Sequence, residues 1–112
     1  MSRRPDGWFI PKSDRRYGME REARRKLGRA RRECRERDGW ACVICAAQFH
    51  PTKGERPTVH HKAGWAEHPQ LRADVRNLVT LCPDCESYVH SKRGAEIRQE
   101  WEQEALAECV ET

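Results

Sequence analysis

The sequence predicts a small α+β domain held together by zinc, and three observations carry that expectation. Only 37% of the 112 residues are hydrophobic while 36% are charged. A chain this short and polar buries too little apolar surface to offset its conformational entropy without a staple. Two matched Cys-x-x-Cys pairs, Cys42/Cys45 and Cys82/Cys85, can supply that staple. Between and around them, short strand-like runs are flanked by longer runs with helical period.

Residues 1–18 contain Pro5, Gly7, Pro11 and Gly18 without any period. They read as an extended arm, with Trp8, Phe9 and Ile10 available to dock on the body. Residues 19–38 read as a basic helix. Ala23, Leu27, Ala30 and Cys34 form a narrow apolar stripe, while arginines including Arg24, Arg25, Arg31, Arg32 and Arg35 cover much of the remainder. Gly28 weakens this helix by about 1 kcal/mol relative to Ala, and Asp38-Gly39 ends it with a turn signal.

Residues 39–94 form the core of the domain. Trp40 to Cys45 lead into the first cysteine pair, and a polar loop broken by Pro51, Gly54 and Pro57 follows. Thr58 to Lys62 look like a strand ended by Gly64, residues 65–76 like a long connection, and Leu78 to Leu81 like a second strand. Pro83 and Asp84 suit the first turn of a helix running from about residue 83 to 93, with Tyr88 and Val89 toward the core and Gly94 as its stop. Residues 95–112 form an acidic helix. Its Ile97, Trp101 and Ala105 make an i, i+4 stripe, expected to fold back on the domain in preference to a partner.

Disulfides and metal both fit six cysteines. The N-terminus, Met1-Ser2-Arg3-Arg4-Pro5, lacks the apolar segment of a signal peptide, and no run approaches the roughly 18 apolar residues of a membrane span. The chain is therefore expected to be intracellular and away from membranes, where paired cysteines more often hold metal than each other. Four thiolates from two such turns make a tetrahedral set with no open position, hence a structural Zn²⁺ site. The second pair sits at a strand-to-helix junction, which resembles a treble-clef arrangement. One pair alone could be a redox dithiol; two together are better explained by zinc. Cys34 and Cys109, each alone in a helix-like run, read as ordinary thiols, buried or partly exposed.

A second constellation is left over. Adjacent His60 and His61 point to opposite faces of a strand, so they cannot both be undistorted ligands of one ion. Glu86 and His90 lie four apart on one face of the predicted helix, directly after the second cysteine pair. With one strand histidine they give three protein ligands and open positions, the composition of a catalytic metal site.

Taken together, Arg37-Asp38-Gly39-Trp40-Ala41-Cys42-Val43-Ile44-Cys45, Val59-His60-His61-Lys62, Asn77-Leu78-Val79-Thr80-Leu81-Cys82-Pro83-Asp84-Cys85 and His90 resemble the zinc-containing HNH endonucleases. The resemblance covers about residues 37 to 93. It implies a ββα-metal (His-Me finger) core on the four-Cys zinc site, between N- and C-terminal helices. It also implies roles: His61 as the general base on the attacking water, His60 as the metal ligand beside it, and Asn77 as the residue that orients the base through a hydrogen bond and holds the loop. Glu86 departs from the family, which usually has His or Asn there. A carboxylate is a harder ligand and favours Mg²⁺ or Mn²⁺, with Ni²⁺ and Zn²⁺ also fitting the donors. The alternative is that Glu86 has lost metal binding and the site is weakened or dead.

Charge is unevenly spread: residues 1–40 carry a net +7, residues 41–94 a net +2, and residues 95–112 a net −5. A basic front suggests a polyanion partner, although a solvated charged helix with no partner has the same composition. The expected function is hydrolysis of DNA phosphodiester bonds, with Arg24, Arg25, Arg31, Arg32 and Arg35 tracking phosphates. A catalytically inactive zinc module binding nucleic acid or protein is the alternative; it explains the cysteines and the basic helix but not the histidines. Small HNH proteins of this layout resemble ones that phages encode beside their packaging machinery, which implies a phage terminase as a further partner.

Overall fold

The computed structural model describes residues 20–109, so the expected N-terminal arm lies outside the described residues. Helix α1 (Arg21–Arg37) is followed by an antiparallel pair, β1 (Thr58–His61) and β2 (Leu78–Leu81). Helices α2 (Pro83–His90) and α3 (Ala95–Cys109) complete a small α+β fold. The expected zinc-type α+β architecture is the one observed.

Helix α1 buries Leu27, Ala30 and Cys34, the inner part of the apolar stripe, and Ala23 stays partly exposed near its start. Cys34 is fully buried with its Sγ 3.4 Å from the Thr80 hydroxyl. The chain leaves the helix through two left-handed residues, Gly39 (φ 68°) and Trp40 (φ 57°). The first costs little and the second is unusual for a side chain of that size.

Strand β2 is buried along all four residues, whereas β1 buries only His60. The register pairs His60 with Val79 and His61 with Leu78. The far edge of β2 is also covered. The Val43 N–H donates to the Thr80 carbonyl (3.0 Å), the Thr80 N–H to Asp38 Oδ2 (3.0 Å), and Arg37 to the Leu78 carbonyl (2.6 Å). Leu81 and Val89 are fully buried with Val79, Cys42 and Cys82, and Leu78 packs on Ala30 and Cys34. Each fully buried Leu or Val contributes about 1.5–3 kcal/mol, so a core of this size is thin.

Helix α2 begins on a cysteine. Cys82 is its N-cap, its Sγ accepting from the Cys85 N–H (3.4 Å), with Pro83 in the first turn. It ends at His90, about a turn earlier than the sequence suggests. Ser91 is extended, and its N–H and hydroxyl both donate to the Tyr88 carbonyl (3.0 and 2.6 Å). Val89 faces the core as expected, but Tyr88 is exposed, because the helix is short and only one side of it meets β2 and α3. Helix α3 folds back on the domain. Ile97 and Trp101 pack on the β2–α2 core, and Ala105 and Cys109 pack with Ala63 and Leu71.

Candidate metal and catalytic centre

Two donor clusters form, one at each end of α2. The first takes Cys42 and Cys45 from the knuckle after α1 and Cys82 and Cys85 from the β2–α2 junction. Their sulfurs all lie within 4.8 Å of one another, and the Cys45 and Cys82 sulfurs are 3.7 Å apart. Zn–S bonds of about 2.3 Å in a tetrahedron put sulfurs about 3.8 Å apart, so the donor set fits one zinc ion. The knuckle is closed by Cys42 N–H to Ala47 O (3.0 Å) and Ala46 N–H to Cys42 O (2.9 Å). Burial pushes the Cys42 thiol up, but the N–H groups of Cys45, Cys82 and Ile44 outweigh it and pull the thiol down to about 6. Burial and the neighbouring thiols push Cys85 up, and, against the Ala47 N–H, the Cys82 thiol helps to push Cys45 up. The cluster therefore has one ready thiolate at Cys42, and a metal would displace the remaining protons.

The second cluster joins β1 to α2: His60, Glu86 and His90 offer ligand atoms within 4.8 Å of one another. Glu86 Oε2 lies 2.8 Å from His90 Nε2, and Glu86 Oε1 lies 3.3 Å from His60 Nδ1. Oε1 is buried and has no hydrogen-bond partner among the described residues. A buried carboxylate oxygen left in that condition is costly, and a cation between Oε1 and the imidazoles would satisfy it. The residues therefore fit a divalent ion with open positions. Burial, against the attraction of Glu86, holds His60 below the usual histidine range, which keeps it in the neutral ligand form.

His61 sits beside this cluster, and both histidines line one cavity of about 400 Å³ with Lys62, His90 and Arg98. The neighbouring histidines thus reach the same cleft, although only His60 belongs to the donor cluster. His61 Nε2 lies 2.9 Å from the Arg72 carbonyl. A carbonyl only accepts, so Nε2 carries the hydrogen and Nδ1 is left with the lone pair. The Trp65 ring stands edge-on to His61 (centroids 5.2 Å), and Trp65 in turn carries the Arg72 guanidinium over its face at 4.3 Å. Burial chiefly, with contributions from the Arg31 and Arg72 charges, lowers the proton affinity of His61.

Asn77 is fully buried, but its bonds go elsewhere than to the base. Its Oδ1 accepts from the Ala63 N–H (2.7 Å), and its Nδ2 donates to the carbonyls of Ala63 (3.3 Å) and Leu71 (3.1 Å). It clamps the 62–77 loop, and the loop presents the Arg72 carbonyl to His61. The resemblance implies a hydrogen bond to the base itself; the geometry replaces it with this longer route.

Three partners of the site were not legible as such. Trp101 packs against His60 (centroids 5.6 Å); its place on the α3 stripe was a signal of burial but not of the target. Trp65 and Arg72 come to His61 through loop geometry alone. Of the five arginines expected to face DNA, Arg31, Arg32 and Arg35 line one cavity. Arg24 and Arg25 lie nearer the helix start, Arg25 3.8 Å from Glu22.

Among the described residues, no helix is long and apolar enough to cross a membrane. No curated protein and no solved structure matches the chain significantly. The family model for HNH endonucleases matches residues 42–92, a span that opens on the first knuckle cysteine and takes in both donor clusters and His61. Residues 42–92 are thus similar to the HNH endonucleases, a family that generally has nuclease activity.

Proposed function

We propose that the protein is a metal-dependent endonuclease acting on DNA, with Cys42, Cys45, Cys82 and Cys85 holding a structural Zn²⁺. His60, Glu86 and His90 would hold a second, catalytic divalent ion, with Mg²⁺ or Mn²⁺ favoured by the carboxylate and Ni²⁺ or Zn²⁺ as the other arms. Such an ion would neutralise charge on the phosphoryl and leaving oxygens. The observation that carries this reading is the Glu86 carboxylate between two imidazoles, its buried Oε1 3.3 Å from His60 Nδ1 yet accepting no hydrogen bond among the described residues, with His61 beside it.

The chain's own part in the chemistry follows from the tautomer of His61. Its Nδ1 takes a proton from the water that attacks phosphorus, while the bond from phosphorus to the leaving oxygen breaks. The Arg72 carbonyl holds the Nε2–H and favours the imidazolium that results. Trp65 fixes the ring plane, and the low proton affinity of His61 keeps it in the free-base form near neutral pH. The basic helix α1 supplies cations for the DNA backbone, and binding should weaken steeply with salt.

A second reading rests on Glu86 itself. Its contacts to His60 and His90 would also persist in an inert cluster, leaving a catalytically inactive zinc module. Plasmid cleavage by the purified full chain, with Mg²⁺, Mn²⁺, Ni²⁺ or Zn²⁺ and with EDTA as control, separates the two. Cleavage by the parent, a loss of about 10²–10⁴-fold in His61→Ala at unchanged zinc content, and a loss in Glu86→Ala are expected. A His61→Ala protein that cuts at the parent rate would sink the mechanism.

A further inference from the structure

A second concavity lies along helix α1, with no lining residue in common with the His61 cavity. Its volume is about 470 Å³, within the roughly 300–1,000 Å³ of sites that enclose a small organic group. Arg31, Arg32 and Arg35 come from α1 and Arg56 from the loop before β1, while Trp40 and Glu36 complete the wall.

Three features set this cavity apart from a solvated basic face. First, its charge is unmatched: four guanidiniums face one carboxylate, and among the described residues the side chains of Arg31, Arg32 and Arg56 make no hydrogen bond or ion pair. Arg35 is pre-positioned by donation to the Pro57 carbonyl (3.1 Å). Burial, then the Arg31 and Arg56 charges, lowers its proton affinity, a crowding of like charges that an anion would relieve.

Second, Trp40 is held in the left-handed region at φ 57°, a strained state for a bulky residue that persists where surroundings impose it. The Arg35 guanidinium stands 6.0 Å from its ring centroid, so an aromatic face and a cation share one wall. Third, Gly28 lies on the same wall in mid-helix, where glycine is the least favourable residue after proline. A Cβ added there would meet nothing within 4 Å. Among the described residues that space is unfilled, and no packing demand accounts for the glycine.

We infer that this cavity receives one unpaired nucleotide of the DNA substrate, its phosphate among Arg31, Arg32 and Arg56 and its base stacked on Trp40. The inference rests on the nuclease reading above and names the substrate class within it: DNA with a single-stranded segment close to the cut. A duplex keeps its bases inside the stack and needs only a ridge of cations along its phosphates. A concavity pairing guanidiniums with an indole suits a strand whose base is free. Arg31 links the two places, since its charge also acts on His61.

Binding of a labelled single strand and of the matching duplex, by fluorescence anisotropy without added divalent ion, tests this. Trp40→Gly suits the local φ and removes the ring. Gly28→Leu fills the cavity with a good helix former. Each should weaken single-strand binding about 5- to 150-fold and leave duplex affinity at the parent value. Arg56→Gln should lower the single-strand salt slope by about 0.7.

Helical circular dichroism and zinc content report folding, and Gly28→Leu carries the test alone should Trp40→Gly not fold. Equal losses on both DNAs, no loss on either, or a parent that does not bind the single strand would each overturn the inference. Plasmid cleavage by the parent is read separately. Cleavage without the single-strand effect removes only this subsite; the effect without cleavage removes the nuclease reading and leaves the subsite.

Discussion

Asn77→Ala tests whether the loop that presents the Arg72 carbonyl to His61 is held by one side chain. The amide makes three hydrogen bonds, to the Ala63 N–H, the Ala63 carbonyl and the Leu71 carbonyl, and is itself fully buried. Ala63 and Leu71 are buried as well, so water does not readily replace the lost partner. At about 1 kcal/mol net for each bond, and more where a buried group is left orphaned, the loss is about 3 kcal/mol. That is a large share of the roughly 5–15 kcal/mol of a small domain. For a domain of this size it corresponds to a Tm lower by about 12–24 °C.

The assay is thermal and urea unfolding in zinc-replete buffer, with plasmid cleavage measured well below the new Tm. Cleavage should fall too, because the Arg72 carbonyl that fixes His61 Nε2 follows Leu71 in the clamped loop. A variant within about 1 kcal/mol of the parent, cutting at the parent rate, would show that the loop holds itself and would refute the clamp.

Three other outcomes are expected. Chelation of the structural zinc should unfold the chain, seen as loss of helical circular dichroism along with release of about one zinc, since such sites supply about 10–16 kcal/mol in small domains; a chelated chain that keeps its helices would count against it. Asp38→Ala strips the Thr80 N–H and the Arg37 guanidinium of their acceptor, and the urea midpoint should report a loss of about 1–3 kcal/mol. Gly94→Ala drives a Cβ into the Tyr88 carbonyl and to 2.7 Å from the Val89 Cα, backbone atoms that cannot swing aside. A loss of at least about 1–3 kcal/mol should appear in the melt, and an unchanged Tm would show that the α2–α3 corner yields.

Much of the fold was legible because its signals are local. The cysteine spacing, the Pro83 start of α2 and the Leu78–Leu81 run each depend on neighbours in sequence. The i, i+4 relation of Glu86 and His90 is equally local, and the two do meet on one face with His60. What was not legible depends on loops closing over distance. The partner of His61 is a main-chain carbonyl eleven residues on, and any residue type at position 72 would offer one. Asn77 stood out as a residue, but its targets are again backbone atoms of the loop it closes. The end of α2 moved to His90 because Ser91 caps Tyr88, a competition between a hydroxyl and helix continuation that periodicity does not weigh. Tyr88 was misjudged with it.

Helix α2 has a consequence for how the protein comes to life. Its first turn is built on Cys82 and Cys85, while Glu86 and His90 stand on the turns that follow, so one eight-residue segment is shared by both donor clusters. A helix that short is unstable by itself in water. With zinc at the thiols as proposed, loading there comes first, and the second cluster exists only once α2 has formed. If the protein is the nuclease proposed above, a newly made chain without zinc would lack its catalytic arrangement, and the cell's supply of one ion would decide when that activity is switched on.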